Sequence, residues 1–169
     1  INYGGVKKGY KPTDRENILK EANNLEIIKN EDLRFSILEN TVISNKKFID
    51  VDFSYSSFYH VKFENVVFEN VKFNNSSFQL LNFETNSILF SGEIEFNDSR
   101  FYDVYFKLLS NNIELNFENA SFNNVEFNSI YGDNIKLNFE NSNFSNSRLY
   151  NSNFIESNFS SVNFINSYA

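Results

Sequence analysis

Cysteine, methionine and tryptophan are absent from the 169 residues, glycine occurs five times, and there is one proline and one histidine. Without cysteine the chain has no disulfide framework, no thiolate metal site and no thiol nucleophile. The compartment stays open on that ground, since secreted and cytosolic chains can both lack cysteine. The single histidine, His60, has neither a cysteine nor a motif-placed aspartate beside it, so metal and triad chemistry lack their partners. No glycine-rich phosphate loop is present. A protein with no enzymatic activity, no cofactor and no metal is therefore expected. The formal net charge of −7 argues against direct binding to a nucleic-acid backbone, which needs clustered Lys and Arg. No apolar run approaches membrane-spanning length and no signal-peptide core precedes the patterned region, so no membrane partner and a cytoplasmic location are expected. A start at Ile1 rather than Met also fits a chain that is processed, trimmed or cut from a larger protein.

Phenylalanine is what the chain has in excess, 21 residues of it, and its placement is periodic. Phe48, Phe53, Phe58, Phe63, Phe68, Phe73, Phe78 and Phe83 follow one another at five-residue steps. The step returns at Phe96, Phe101 and Phe106, at Phe117, Phe122 and Phe127, and in Phe139, Phe144, Leu149, Phe154, Phe159 and Phe164. A period of five matches neither the helical 3.6 nor the strand alternation of two. It matches a coil with four short sides, each side spending five residues and pointing a large one inward. Upstream the same register passes through Leu33, Leu38 and Ile43. Two positions before each centre stands a mostly small or β-branched residue, such as Val51, Ser56, Val61, Val66, Ser99, Val104, Ala120 and Ser147. Such a residue can share the inward side with its bulky neighbour. Glu31 and Lys46 occupy that small position in the first pentads and make the register there doubtful.

Units such as VDFSY, VKFEN, VVFEN, VKFNN and SNFIE resemble the motif of the pentapeptide-repeat proteins, a central Leu or Phe with a small or β-branched residue two before it. The resemblance covers roughly residues 33–169 and implies an all-β solenoid, a right-handed quadrilateral β-helix. About seven coils at a strand spacing of about 4.8 Å give a rod on the order of 30–35 Å long. Residues 1–12 read as a flexible leader. Thr13 with Glu16 forms a capping box, and Ile18, Leu19, Ala22 and Leu25 line one helical face. A short capping α-helix at about 13–24, followed by an entry segment to residue 30, is expected to cover the first open coil. The β-helix itself is expected over 31–169.

Three interruptions break the five-residue step, and each falls between side three and side one when sides are counted from Phe53. On this count Ile88 is the side-four centre and Phe96 follows eight residues later; Phe106 to Phe117 takes eleven residues and Phe127 to Phe139 takes twelve. The inserted stretches, residues 86–94, 107–115 and 128–137, are expected to stack into a ridge along one edge. Leu89, Phe90, Leu108, Leu109, Ile130 and Tyr131 in that ridge are candidate partner-binding residues, because insertions in solenoids cluster on the binding face. A second candidate is an outward strip on side two that includes Tyr59 and Tyr102. The last residue of each pentad is often Asn or Asp, as at Asn75, Asp98, Asn119, Asn141, Asp103 and Asn124, types that tolerate the unusual dihedrals of a corner. Glu95, Glu118 and Glu140 form a short acidic strip on side one.

The expected function is that of a non-enzymatic scaffold presenting its ridge or strip to a protein partner. The resemblance also allows a DNA-mimicking modulator of DNA gyrase, since some pentapeptide-repeat proteins act so. Those relatives typically dimerise through a C-terminal helix, for which this sequence carries no signal. A third alternative is the β-helical domain of a larger bacterial secreted effector. The register puts the next inward position at Ala169, partway through a coil. The last ring, Leu149, Phe154, Phe159 and Phe164, is therefore expected to be covered by further chain or to join a second copy in a homodimer.

Overall fold

The computed structural model describes residues 25–152, 154 and 156–167. The leader, the capping helix expected at 13–24 and Ala169 lie outside the described residues. Among those described there is no helix, and every strand pairing is parallel. The chain winds as a four-sided β-helix, so that Ile28, Phe48 and Phe68 lie one above another at steps of 20 residues. Seven strands make one sheet: Glu26–Lys29, Val42–Ile49, Lys62–Lys72, Ile88–Glu95, Ile113–Asn116, Ile135–Asn138 and Ser157–Asn158. A second sheet carries Ile37–Glu39, Ser57–Tyr59, Ser77–Glu84, Arg100–Lys107, Ser121–Asn123, Asn143–Ser145 and Asn163–Ile165, with Glu126–Asn128 and Arg148–Tyr150 branching from it. Stacking begins at Glu26, inside the stretch assigned above to helix and entry segment.

The phenylalanines fill the tube as four columns of stacked rings. On side one Phe53–Phe73, Phe73–Phe96, Phe96–Phe117 and Phe117–Phe139 lie 5.1–5.4 Å apart and within 7° of parallel. Rings on adjacent sides meet edge to face, as Phe73 does with Phe78 at 5.7 Å and 73°. Both arrangements suit the ring quadrupole. Each fully buried Phe removes enough apolar surface from water to contribute roughly 1.5–3 kcal/mol, so the ladder offsets much of the ordering entropy of its coils.

The small inward positions carry a hydrogen-bond spine that the pattern alone does not announce. Ser36, Ser56, Ser76 and Ser99 are fully buried. The hydroxyls of Ser56, Ser76 and Ser99 accept the N–H of Ser36, Ser56 and Ser76 at 3.0, 3.0 and 3.1 Å. Ser99 then donates to the Phe73 carbonyl at 2.8 Å. Serine thus closes backbone valences at a corner where a buried unpaired amide would cost about 1–3 kcal/mol.

Corners behave as their residue types dictate. Asn75, Asp98, Asn119 and Asn141 after side one all hold φ between 55° and 57°. Asp103, Asn124, Asn146 and Asn166 after side two hold φ between 48° and 54°. Corner amides also bond along the rod: Asn65 to Asn45 at 3.0 Å, Asn134 to Asn112 at 3.1 Å, and Asn124 to Asp103.

Two sequence-level assignments change. The register at Lys46 is regular: Lys46 pairs with Val66, is fully buried, and donates from Nζ to Glu26 Oε2 at 2.9 Å. The preceding coil supplies the carboxylate that a buried ammonium requires. The side-four centre of the third coil is Phe90, not Ile88. Ile88 pairs with Val66 at the smaller inward position and Phe90 with Phe68, which places two extra residues before the centre and one after it at the Gly92 bulge.

Candidate interaction surfaces

The three insertions lie side by side on side four. Leu89 pairs with Val67, Gly92 with Ile113, Ile113 with Ile135, and Leu109 with Tyr131. Ser110 Oγ reaches the Phe90 carbonyl at 3.5 Å, joining the third and fourth coils. The Tyr131 N–H donates to the Leu108 carbonyl at 2.9 Å and the Ser110 N–H to the Tyr131 carbonyl at 3.0 Å. Alternation then sorts the six ridge candidates. Leu89, Leu109 and Tyr131 point outward and are 45%, 52% and 45% exposed. Phe90, Leu108 and Ile130 are 1–2% exposed and belong to the core. Those three are corrected out of the surface, because each adjoins an outward residue that is paired with the neighbouring coil, and in extended chain the next side chain faces the tube. The result is a ladder of large apolar side chains in successive coils, a feature seldom left uncovered on a solvent-facing surface.

The inward face behind this ladder is thin. In the fourth coil Ser110 stands at the place of Phe90, and in the fifth Gly132 follows Tyr131. At Gly132 (φ +153°) an added Cβ would stand 1.6 Å from the Ser110 carbonyl oxygen. At Gly92 (φ +70°) it would meet Asn70 Oδ1 at 2.2 Å, the atom that accepts the Glu93 N–H at 3.0 Å. Close approach of one coil's backbone to the next therefore sets the path of the ridge.

The side-two strip is also a true column. Tyr59, Gln79, Tyr102, Asn123, Ser145 and Ile165 pair in sequence along the rod. Tyr59 and Tyr102 are exposed, but Gln79 separates them and polar residues follow. The strip mixes apolar and polar side chains, whereas side four carries a large exposed apolar residue in each of three successive coils. His60 occupies a left-handed corner, exposed, with Nδ1 2.9 Å from Asn40 Oδ1. Among the described residues no group of three His, Asp or Glu could hold a metal ion.

Acids gather on side one and its corner with side four. Asp32, Asp52, Lys72 and Glu95 form one column, and Glu93 pairs with Glu114, which pairs with Lys136. Glu118 and Glu140 follow the side-one centres, whereas Glu95 precedes its own and stacks on Asn116. The strip expected from Glu95, Glu118 and Glu140 is therefore split between two columns. Burial, then Glu95 and Glu114, push the Glu93 carboxyl above its ordinary range; Lys72 and the hydrogen bond from Asn116 oppose this. A carboxyl raised in the fold binds more protons folded than unfolded, so its contribution is lost as pH rises from the ordinary glutamate value through the raised one. Glu93→Gln keeps an acceptor for Asn116 and removes the repelling charge. Its thermal midpoint is expected to exceed that of the parent at pH 7 and to coincide with it below the carboxylate range. Equal midpoints at both pH values would show that the cluster carries no strain.

A family model for pentapeptide repeats, in 8 copies, matches residues 137–168. No curated protein matches the sequence. Among solved structures, QnrB1 (trypsin-treated), a plasmid-mediated fluoroquinolone resistance protein, is similar at 15% identity and a TM-score of 0.33, over 84% of this chain and 83% of that one. HetL, a pentapeptide repeat protein involved in heterocyst differentiation regulation in Nostoc sp. strain PCC 7120, is similar at 8% identity and a TM-score of 0.38, over 92% and 90% of the two chains. The five-residue step that the family model matches at residues 137–168 continues, coil upon coil, through the buried residues back to Ile28.

Proposed function

We propose that this protein is a non-enzymatic scaffold, a rigid rod that offers side four to a protein partner. One observation carries the reading: Leu89, Leu109 and Tyr131 stay exposed in successive coils while their neighbours Phe90, Leu108 and Ile130 are buried. Stacked coils leave little freedom to hide such a ladder, so covering it takes another chain. Photocrosslinking residues placed at Leu109 and Tyr131 are expected to capture a partner that the same residue at Tyr102 does not. Joint replacement of Leu89, Leu109 and Tyr131 by serine is expected to abolish capture and leave the melting transition cooperative. Capture from Tyr102 alone would move the site to side two. No helix among the described residues is long and apolar enough to cross a membrane.

The acids of side one and its corner favour a second reading, a DNA mimic acting on DNA gyrase. Duplex DNA carries one charge per about 1.7 Å of axis. Side one offers at most two acids per coil of about 4.8 Å, and Arg34 and Lys72 interrupt them. The scaffold reading is therefore the stronger. A gyrase supercoiling assay separates the two: inhibition at near-stoichiometric protein would favour mimicry, and unchanged supercoiling favours the scaffold. The same rod suits a cytoplasmic protein or the β-helical domain of a larger secreted effector.

A further inference from the structure

We propose that side four takes an amphipathic α-helix of the partner, laid along the rod axis, with its apolar stripe on Leu89, Leu109 and Tyr131 and basic residues over Glu93 and Glu114. The proposal rests on the reading of side four as the partner surface and adds the form and charge of what binds there.

Spacing is the first reason. The rungs of the ladder repeat once per coil, at about 4.8 Å. A helix rises about 1.5 Å per residue, so contacts at i, i+3, i+7 and i+10 advance about 5 Å each. Extended chain repeats its same-face side chains at about 6.7 Å and loses step with the ladder within two or three rungs. A helix keeps step across the four rungs Val67, Leu89, Leu109 and Tyr131 to within about 1 Å.

Backbone chemistry is the second. Side four is formed by strands whose N–H and C=O groups point along the rod and bond the neighbouring coils, as at Val66 to Ser87 and Tyr131 to Leu108. Its face therefore offers no free strand edge, and recognition has to run through side chains, which favours a helix in contact over an added strand.

Charge is the third. Across the corner made by Gly92 and Asn112, Glu93 and Glu114 stack in successive coils, and neither makes an ion pair among the described residues. Asp133 is exposed two residues after Tyr131. Lys136 stacks on Glu114, Lys72 lies near Glu93, and Lys47 approaches Glu69 at 3.9 Å, so the corner keeps an excess of acid near its middle. On the opposite flank Glu84 pairs with Lys107 and the charges balance. Only one flank of the bound helix needs to be basic.

The probe is a fluorescently labelled helix-forming peptide of about 16 residues with leucines at i, i+3, i+7 and i+10 and lysines or arginines on one flank, titrated with the full chain. Saturable binding is expected. It should weaken at least about 10-fold when the same residues are scrambled so that the stripe is lost, and by a similar factor when the basic flank is made acidic. Leu109→Ser with Tyr131→Ser should weaken it about 10-fold, whereas Tyr59→Ser with Tyr102→Ser on side two should leave it unchanged. Glu93→Gln with Glu114→Gln, which spares the apolar rungs, should abolish the preference for the basic flank and flatten the salt dependence. Equal binding of the scrambled peptide, stronger binding of an alternating extended peptide, or no binding of the basic peptide would overturn the helix assignment. If crosslinks from Leu109 persisted in that case, the partner surface would stand and its helical occupant would fall. Loss of both would remove both.

Discussion

Replacing Phe122 by alanine is expected to lower stability by about 3–5 kcal/mol, through lost transfer energy and the cavity left behind. Phe122 stacks between Phe101 at 5.0 Å and Phe144 at 4.5 Å, and meets Phe117 and Phe127 edge to face at 5.5 and 5.4 Å. Coils fixed on both sides by parallel strands cannot collapse into the hole. Asn123, the next residue, is exposed in the side-two column, and Asn123→Ala is expected to change stability by less than about 0.5 kcal/mol. Denaturant unfolding measures both. In a stack whose units touch only their neighbours, a hole in a middle coil also weakens coupling between the halves. A lower slope as well as a lower midpoint is therefore expected for Phe122→Ala. Equal effects of the inward and outward replacements would mean that the register is wrong.

Gly132→Ala is expected to be nearly as damaging, at about 2–4 kcal/mol, by strain at a backbone conformation closed to other residues and by collision with main chain. The added Cβ would meet the Ser110 carbonyl oxygen at 1.6 Å, and Ser110 donates its own N–H to the Tyr131 carbonyl at 3.0 Å. Relief requires the coils to part at the ridge. Gly92→Ala is expected to cost less, because its obstacle is the Asn70 side chain, which can rotate away with the loss of its bond to the Glu93 amide. The order of the two midpoints is the measurement. A Gly132→Ala protein as stable as Gly92→Ala would show that side four is not held by backbone contact. Since Gly132 adjoins Tyr131, the same substitution is expected to weaken partner capture from the ridge.

The five-residue period made the fold legible, because only a four-sided coil returns one large residue inward on that step. Corner residues were legible for an equally local reason, the tolerance of Asn and Asp for left-handed φ. Lys46 misled because its partner, Glu26, lies one coil back and before the recognisable repeats. Phe90 was misplaced because counting in fives cannot say whether extra residues precede or follow a centre. The triplet Ile88-Leu89-Phe90 repeats the in–out–in pattern of Val66-Val67-Phe68, and that signal identifies the centre correctly. The same phase information divides the ridge into exposed Leu89, Leu109 and Tyr131 and buried Phe90, Leu108 and Ile130. The serine spine was not legible, since a small inward residue satisfies the pattern whether or not it accepts a hydrogen bond.

The central claim is that side four, and not side two, meets a partner. It is tested most directly by measuring affinity for the partner captured from Leu109 in two variants of the full chain. One carries serine at Leu89, Leu109 and Tyr131, the other serine at Tyr59 and Tyr102. Loss of binding in the first with unchanged binding in the second is the predicted result. Retained binding in the first with loss in the second would contradict the account.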